Sequence, residues 1–159
     1  MVYKLLILSD EVDLFYREIE INSDATFLEL NNAILDSVKY TKDQLTSFFI
    51  CEDNWEKREE VTLIEMDSSS DEDVWLMEDT RLSELIEDEH QRMLFVFDMM
   101  ADRSFFMELR EIELGKNLLD PLCTKVKGKA PKQVMTIEEL DKKMATTSYS
   151  RNSYNALTN

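Results

Sequence analysis

Two apolar stretches near the start of the chain predict a β-hairpin. Residues 2–9 and 13–22 are rich in β-branched, aromatic and aliphatic side chains, and a short acidic turn separates them. In the second stretch Phe15 and two isoleucines share one parity, whereas Glu18 and Glu20 share the other. Because side chains alternate across a strand, we expect one face to be buried and the other to be wet.

The next segment, residues 26–39, predicts a helix that covers the buried face. Thr26 and Glu29 stand three residues apart, in the spacing of a capping box. Lys39 at the far end suits the negative pole of the helix dipole. Apolar residues follow at helical spacing: Phe27, Leu30, Ile34 and Val38.

The later elements define the fold class. Thr80 is expected to cap a second, short helix, and apolar segments predict strands at 45–52, 60–66, 74–77, 92–98 and 104–113. Strands interrupted by single helices are typical of an α+β domain. We therefore expect a mainly antiparallel, β-grasp-like β-roll, with one helix packed across the sheet and a second short helix.

The apolar periodicity fades after Leu114, which suggests a domain boundary. We expect an α+β domain over 1–114 and an extension at 115–133 that is partly packed on it. Residues 134–159 are mostly polar, apart from a weak amphipathic run, and predict a mobile tail.

Several strings together resemble a known family. They begin at Phe15, Thr26, Leu45 and Phe95, and read FYREIEI, TFLELNNAI, LTSF and FVFD, the last followed by Asp102-Arg103. They are similar to the plasmid Ri ORF-three-like family of prokaryotic proteins over residues 2–114, with a weaker echo to 133. The resemblance implies a compact α+β fold with no established activity. Some relatives carry mobile-element or resolvase labels.

The chain departs from the family pattern at positions that bear on a site. The family usually carries Trp-Arg-Arg where this chain has Tyr16-Arg17-Glu18, and it has two histidines after the first helix where this chain has Gln44 and Thr46. Any role of those histidines is therefore absent. The matching positions and the adjacent turn give the candidate binding residues: Tyr16, Arg17, Tyr40, Phe97, Asp98, Asp102 and Arg103. The last three either rim a pocket or close a turn.

Charge divides the chain into two parts. The first 114 residues carry 30 acidic and 10 basic side chains, and the last 45 carry 4 and 8. The acidic body would repel phosphates, so nucleic acid is an unlikely partner for it. The basic end could touch phosphates, but folding back onto the acidic domain, or no binding role at all, is the favoured interpretation of its lysines: Lys125, Lys127, Lys129, Lys132, Lys142 and Lys143.

Neither a metal centre nor a catalytic centre stands out. Asp67, Asp71, Asp73 and Glu78 have part of the spacing of a calcium loop, but Glu72 occupies the position that needs glycine. We expect only weak divalent binding there. The single histidine, His90, has no nucleophile placed beside it by any motif.

Compartment and cofactors follow from what the sequence offers. Cys51 and Cys123 are 72 positions apart and form neither a redox pair nor a zinc site, which predicts reduced thiols in the cytoplasm. The apolar run Leu5–Leu8 is far shorter than a membrane span. No cofactor and no membrane partner are expected.

A concentration of Met and Phe in the last hairpin leaves the function open. It includes Met93, Met99, Met100 and Met107, and it is either core or a surface for a partner. We expect a non-catalytic interaction module that binds a protein or peptide. The alternatives are an accessory protein of a mobile genetic element that contacts nucleic acid or a recombinase, and a small-ligand binder or enzyme with an unrecognised site. The oligomeric state stays open.

Overall fold

One eight-stranded sheet organises the molecule. The computed structural model describes residues 1–65 and 74–145. The sheet order is β5-β4-β3-β6-β7-β1-β2-β8, and every neighbouring pair is antiparallel except β4 and β5. The strands are β1 (Val2–Leu8), β2 (Tyr16–Asn22), β3 (Ser47–Cys51), β4 (Lys57–Thr62), β5 (Trp75–Leu76), β6 (Arg92–Asp98), β7 (Arg103–Glu113) and β8 (Leu122–Lys127). The helices are α1 (Phe27–Val38), α2 (Leu82–Leu85) and α3 (137–145).

Helix α1 forms as predicted and covers the sheet. Thr26 Oγ1 accepts a hydrogen bond from the Glu29 amide at 3.2 Å, and the Glu29 carboxylate accepts one from the Thr26 amide at 2.9 Å. Lys39 ends the helix in the left-handed conformation, with φ 60°. The apolar stripe of α1 packs on the core that the sheet presents: Phe27, Leu30, Ile34, Leu35 and Val38.

The α+β class and the mainly antiparallel sheet are confirmed. The first hairpin pairs Leu5 with Ile19, and β6 has the predicted bounds. The two central strands, β6 and β7, run antiparallel to one another. One detail was wrong: Arg81, rather than Thr80, is the N-cap of α2. Thr80 instead accepts a hydrogen bond from the Phe27 amide through its carbonyl, at 2.9 Å.

The sheet gains an edge strand that the sequence pattern does not predict. Strand β8 pairs with β2, and all six of its side chains are exposed, so it leaves no apolar periodicity to detect. The expected wet face of β2 is also wrong, since Glu18 and Glu20 are 9% and 7% exposed. Lys125 lies 3.6 Å from Glu18, and Lys116 lies 3.3 Å from Glu20. Basic residues after the first 114 therefore fold back onto the acidic part.

The chain continues past β8 into helix α3. Thr136 and Glu139 form a second pair of reciprocal capping hydrogen bonds, at 3.1 and 3.3 Å. In the part of the chain that the structure describes, no helix is long and apolar enough to cross a membrane. Of the proposed calcium-loop residues, Glu78 is exposed in a turn. Asp67, Asp71 and Asp73 lie outside the described residues.

Candidate functional site

A buried arginine ties the C-terminal segment to the sheet. Arg103 is 2% exposed, and its Nε and Nη2 donate to the Glu11 carboxylate at 2.9–3.1 Å. Its Nη1 donates to Asp98 at 3.1 Å. The same guanidinium donates to the carbonyls of Lys132 and Gln133, at 2.6 and 3.1 Å. We call Arg103, Glu11 and Asp98 the Arg103 clasp.

Aromatic side chains support the clasp. The Arg103 guanidinium lies 4.9 Å from the centre of the Phe97 ring, and the Tyr40 and Phe97 rings are 5.3 Å apart. The Tyr40 hydroxyl donates to the Pro131 carbonyl. Burial raises the pKa of Tyr40, so the hydroxyl keeps its proton at neutral pH. Burial alone would lower the pKa of Arg103, but its hydrogen bonds to the two carboxylates more than offset this and raise it.

The structure therefore brings four of the candidate binding residues together. Tyr40, Phe97, Asp98 and Arg103 contact one another and hold the backbone of residues 131–133. Asp102 does not join them. It is exposed in the β6–β7 turn with φ 50°, where its amide donates to the Met99 carbonyl.

The other two candidates, Tyr16 and Arg17, begin strand β2. Arg17 is 5% exposed, and its guanidinium lies 4.6 Å from the centre of the Phe15 ring. Its Nε donates to the Ser37 carbonyl at 3.0 Å, and its Nη1 donates to the carbonyls of Tyr16 and Lys127 at 2.9 Å. Burial lowers the pKa of Arg17. Tyr16 is half-buried, with the Lys127 ammonium 5.8 Å from its ring centre.

Arg17 opens into a groove between the end of α1 and the chain that follows β8. This basic groove has a volume of about 960 Å³. None of the described residues that line it is acidic, although the chain carries 34 acidic side chains. They are Arg17, Ser37, Val38, Lys39, Tyr40, Val126, Gly128, Lys129, Ala130, Pro131, Lys132 and Gln133.

A second cavity, which we call the methionine pocket, shares Gln133 with the basic groove and is lined by Asp98 of the clasp. It measures about 510 Å³ and is bordered by the β6–β7 turn, the loop after α1 and the start of α3. Met100 and Met99 are 87% and 39% exposed there, whereas Met93 and Met107 are buried in the core. The Met and Phe concentration therefore divides into core and surface. The pocket is lined by Asp43, Gln44, Leu45, Phe97, Asp98, Met99, Met100, Ala101, Gln133, Val134, Met135 and Leu140.

The described residues offer little for metal or thiol chemistry. Among them, no three His, Cys, Asp or Glu side chains gather closely enough to hold a metal ion. Cys51 is buried and Cys123 is exposed, and both are free. Burial raises the pKa of both thiols, which disfavours the reactive thiolate. His90 is exposed, with Nδ1 3.2 Å from Glu108.

Residues that the sequence pattern does not single out complete the Arg103 clasp and the two cavities. Glu11 completes the clasp although its position in the sequence indicates only a turn, and Leu45 lines the methionine pocket although its pattern predicts only a strand. Val134 and Leu140 belong to an amphipathic run whose partner on the domain was not identified. Lys129 belongs to the basic end of the sequence, but its position in the same groove as Arg17 follows only from the return of the chain along β2.

Fold and site together define an α+β domain whose C-terminal segment is bound to the sheet by two buried arginines. The chain belongs to the plasmid pRiA4b ORF-3-like protein family, since the model of that family matches residues 2–148. This confirms the resemblance and extends it beyond residue 114 into α3.

A solved structure from an archaeon shares the fold. It is the crystal structure of a protein of unknown function from Methanosarcina mazei Go1, with a TM-score of 0.61 and 17% sequence identity. The alignment covers 79% of this chain and 68% of that one. No curated protein matches this chain.

Proposed function

We propose that this protein is a non-catalytic interaction module that binds a peptide segment of a partner protein in the methionine pocket. The observation that carries the proposal is the exposure of Met100 and Met99 at the mouth of a pocket of about 510 Å³. Methionine adapts to irregular partners, and exposed apolar side chains around a concave site mark interaction surfaces.

The occupant we favour is a basic segment with one apolar anchor side chain. Leu45, Val134 and Leu140 give the pocket an apolar lining that suits the anchor. Among the described lining residues, Asp43 and Asp98 carry a charge, and Asp98 is already paired with Arg103. The attraction therefore comes from Asp43 and from the formal net charge of −16 of the whole chain. Flanking lysines or arginines on the partner would therefore be attracted, both at the site and during approach.

The pocket is held open by the clasp. Its walls come from separate parts of the chain, because Gln133 and Leu140 follow β8 whereas Met99 lies in the β6–β7 turn. Arg103 joins the two walls through Asp98 and the Gln133 carbonyl. Lys143 adds a hydrogen bond from α3 to the Ala101 carbonyl at 2.8 Å. Such a preformed site lowers the ordering cost of binding.

The test is selection of peptides from a random display library, followed by measurement of affinity by fluorescence polarisation. We expect the selected peptides to combine an apolar residue with neighbouring Lys or Arg. Met100→Ser should weaken their binding about tenfold, the size expected from loss of one buried apolar side chain. Leu114→Ser is the matched control, since Leu114 is 78% exposed and does not line the pocket.

Three outcomes would overturn the proposal. They are a failure to select any peptide, selection of acidic peptides, and equal binding by the wild type, Met100→Ser and Leu45→Ser.

The cytoplasm remains the proposed compartment, because two free cysteines suit a reducing environment.

A further inference from the structure

The buried charge of Arg17 has no protein counter-ion among the described residues. Arg17 is 5% exposed, yet no carboxylate oxygen of those residues lies within 4.0 Å of it. Its three hydrogen bonds go to neutral carbonyls. Burial lowers the pKa of Arg17 and Cys123 acts to raise it, but that thiol stays protonated at neutral pH because burial raises its own pKa. A charge removed from water without a counter-ion is costly.

One edge of the guanidinium remains available. Nε and Nη1 are engaged, whereas Nη2 donates to no atom of the described residues. In the same part of the chain, no buried side-chain nitrogen or oxygen is both sealed from solvent and unpaired. Solvent therefore reaches Nη2, and the space that Arg17 lines is the basic groove.

Two lysines reinforce this positive site. Lys132 is neutralised by Glu139 at 2.8 Å, whereas Lys39 and Lys129 make no ion pair with any described residue. Lys39 ends α1, and Lys129 follows β8, so the three cations come from three separate elements. In a chain with 34 acidic and 18 basic residues, a groove whose described lining holds three unpaired cations and no carboxylate indicates a site for an anion.

We propose that the basic groove binds the phosphate group of a small phosphorylated molecule. An arginine with a free N–H edge and two mobile ammonium groups matches several phosphate oxygens better than one carboxylate. A volume of about 960 Å³ is that of a small-molecule site, and the strongly acidic remainder of the surface disfavours a long nucleic acid. This inference is independent of the methionine pocket.

The experiment is calorimetric titration of the full chain with pyrophosphate at constant ionic strength. Parallel titrations use inorganic phosphate, citrate and a ten-nucleotide single-stranded DNA. We expect one pyrophosphate per chain, with Arg17→Gln weakening the affinity about tenfold or more and Lys129→Gln about threefold. Lys57→Gln removes the same charge from strand β4, away from the groove, and should bind like the wild type.

Lys129 is exposed, so Lys129→Gln keeps the test decisive even if Arg17→Gln does not fold. The absence of saturable pyrophosphate binding up to millimolar concentrations would overturn the proposal. So would equal losses in Lys129→Gln and Lys57→Gln, since they would indicate a diffuse attraction. Tighter binding of citrate would refute the assignment to phosphate, and tighter binding of the DNA would refute the assignment to a small molecule.

Discussion

Two buried arginines bind the same C-terminal segment, but their charges are balanced in different ways. Arg103 donates to the carbonyls of Lys132 and Gln133 and also meets two carboxylates at 2.9 and 3.1 Å. Arg17 donates to the Lys127 carbonyl and meets no carboxylate of the described residues. Burial lowers the pKa of Arg17, whereas the carboxylates raise that of Arg103.

The difference separates a structural role from a binding role. A guanidinium that is fully paired and hydrogen-bonded stabilises its surroundings and offers nothing to a ligand. A buried guanidinium with a free edge keeps an unmet electrostatic requirement that an anion can satisfy. The Arg103 clasp therefore holds Lys132 and Gln133, which line the basic groove, in place. Arg17 is the residue in that groove that we expect an anion to contact.

The largest effect is expected from breaking the clasp. Arg103→Met leaves the Glu11 and Asp98 carboxylates unpaired and releases two backbone carbonyls, so it should lower the free energy of unfolding by about 3–5 kcal/mol. Urea denaturation measures this. The control is Arg110→Met, which breaks an exposed ion pair with Glu108 and should cost less than about 1 kcal/mol. Similar costs for the two variants would contradict the role of the clasp.

Gly128 tests how tightly the basic groove is built. It has φ +72°, and a Cβ there would lie 2.7 Å from the Leu14 carbonyl oxygen. Gly128→Ala should therefore lower stability by about 2 kcal/mol or more, through backbone strain and a clash. Gly115→Ala is the matched control, because Gly115 has φ +73° with nothing within 4 Å of the added Cβ. If both variants lose the same stability in urea, the close approach at Leu14 does not exist.

Arg17→Met tests whether Arg17 contributes less to stability than Arg103 does. It removes hydrogen bonds to three carbonyls but also removes a desolvated charge, so the net loss of stability should be only about 1 kcal/mol. Phosphate should raise the thermal midpoint of the wild type and leave that of Arg17→Met unchanged, because ligands stabilise the state that binds them. A loss as large as that of Arg103→Met would show that Arg17 is chiefly structural.

The smallest effect concerns the pH dependence of α3. Hydrogen bonds from Lys132 and Thr136 lower the pKa of Glu139 from 4.5 to about 2. A carboxyl group whose pKa is lower in the folded state stabilises that state at pH values above its ordinary pKa of 4.5. This stabilisation is lost as the pH falls through about 2. Carboxyl ¹³C NMR should therefore find Glu139 still ionised at about pH 3. If Glu139 titrated near pH 4.5 instead, its hydrogen bonds to Lys132 and Thr136 would not form as described, which would contradict the prediction. Lys132 would then be a further unpaired cation in the basic groove.

Helices and most strands of the fold can be predicted from local sequence patterns. The basic groove cannot, because it forms only where β8 returns to pair with β2. Thr26 and Glu29 determine the start of α1 within four residues, so the sequence predicts it well. Strand β8 is held by backbone hydrogen bonds with every side chain exposed, which leaves no pattern to read. Arg17 and Lys129 are 112 positions apart, and only that strand brings them to one groove.

Partners that are distant in the sequence also explain why the different roles of Arg17 and Arg103 could not be predicted from the sequence. Arg103 follows a turn beside Asp98, so its first ion pair was within reach of local reasoning. Its second partner, Glu11, is 92 positions away and comes close only through the packing of the first turn against β7. No local pattern distinguishes an arginine with a distant carboxylate from one without.

The most direct test of the role of Arg17 is NMR of the side-chain Nε–H group of each buried arginine during titration with pyrophosphate. Both Nε–H groups are hydrogen-bonded, to Ser37 in one case and to Glu11 in the other, so both should give resolved signals. We predict that the Arg17 signal shifts and saturates while the Arg103 signal stays in place. An unchanged Arg17 signal, or equal shifts of the two, would contradict the assignment of Arg17 as the anion-binding arginine.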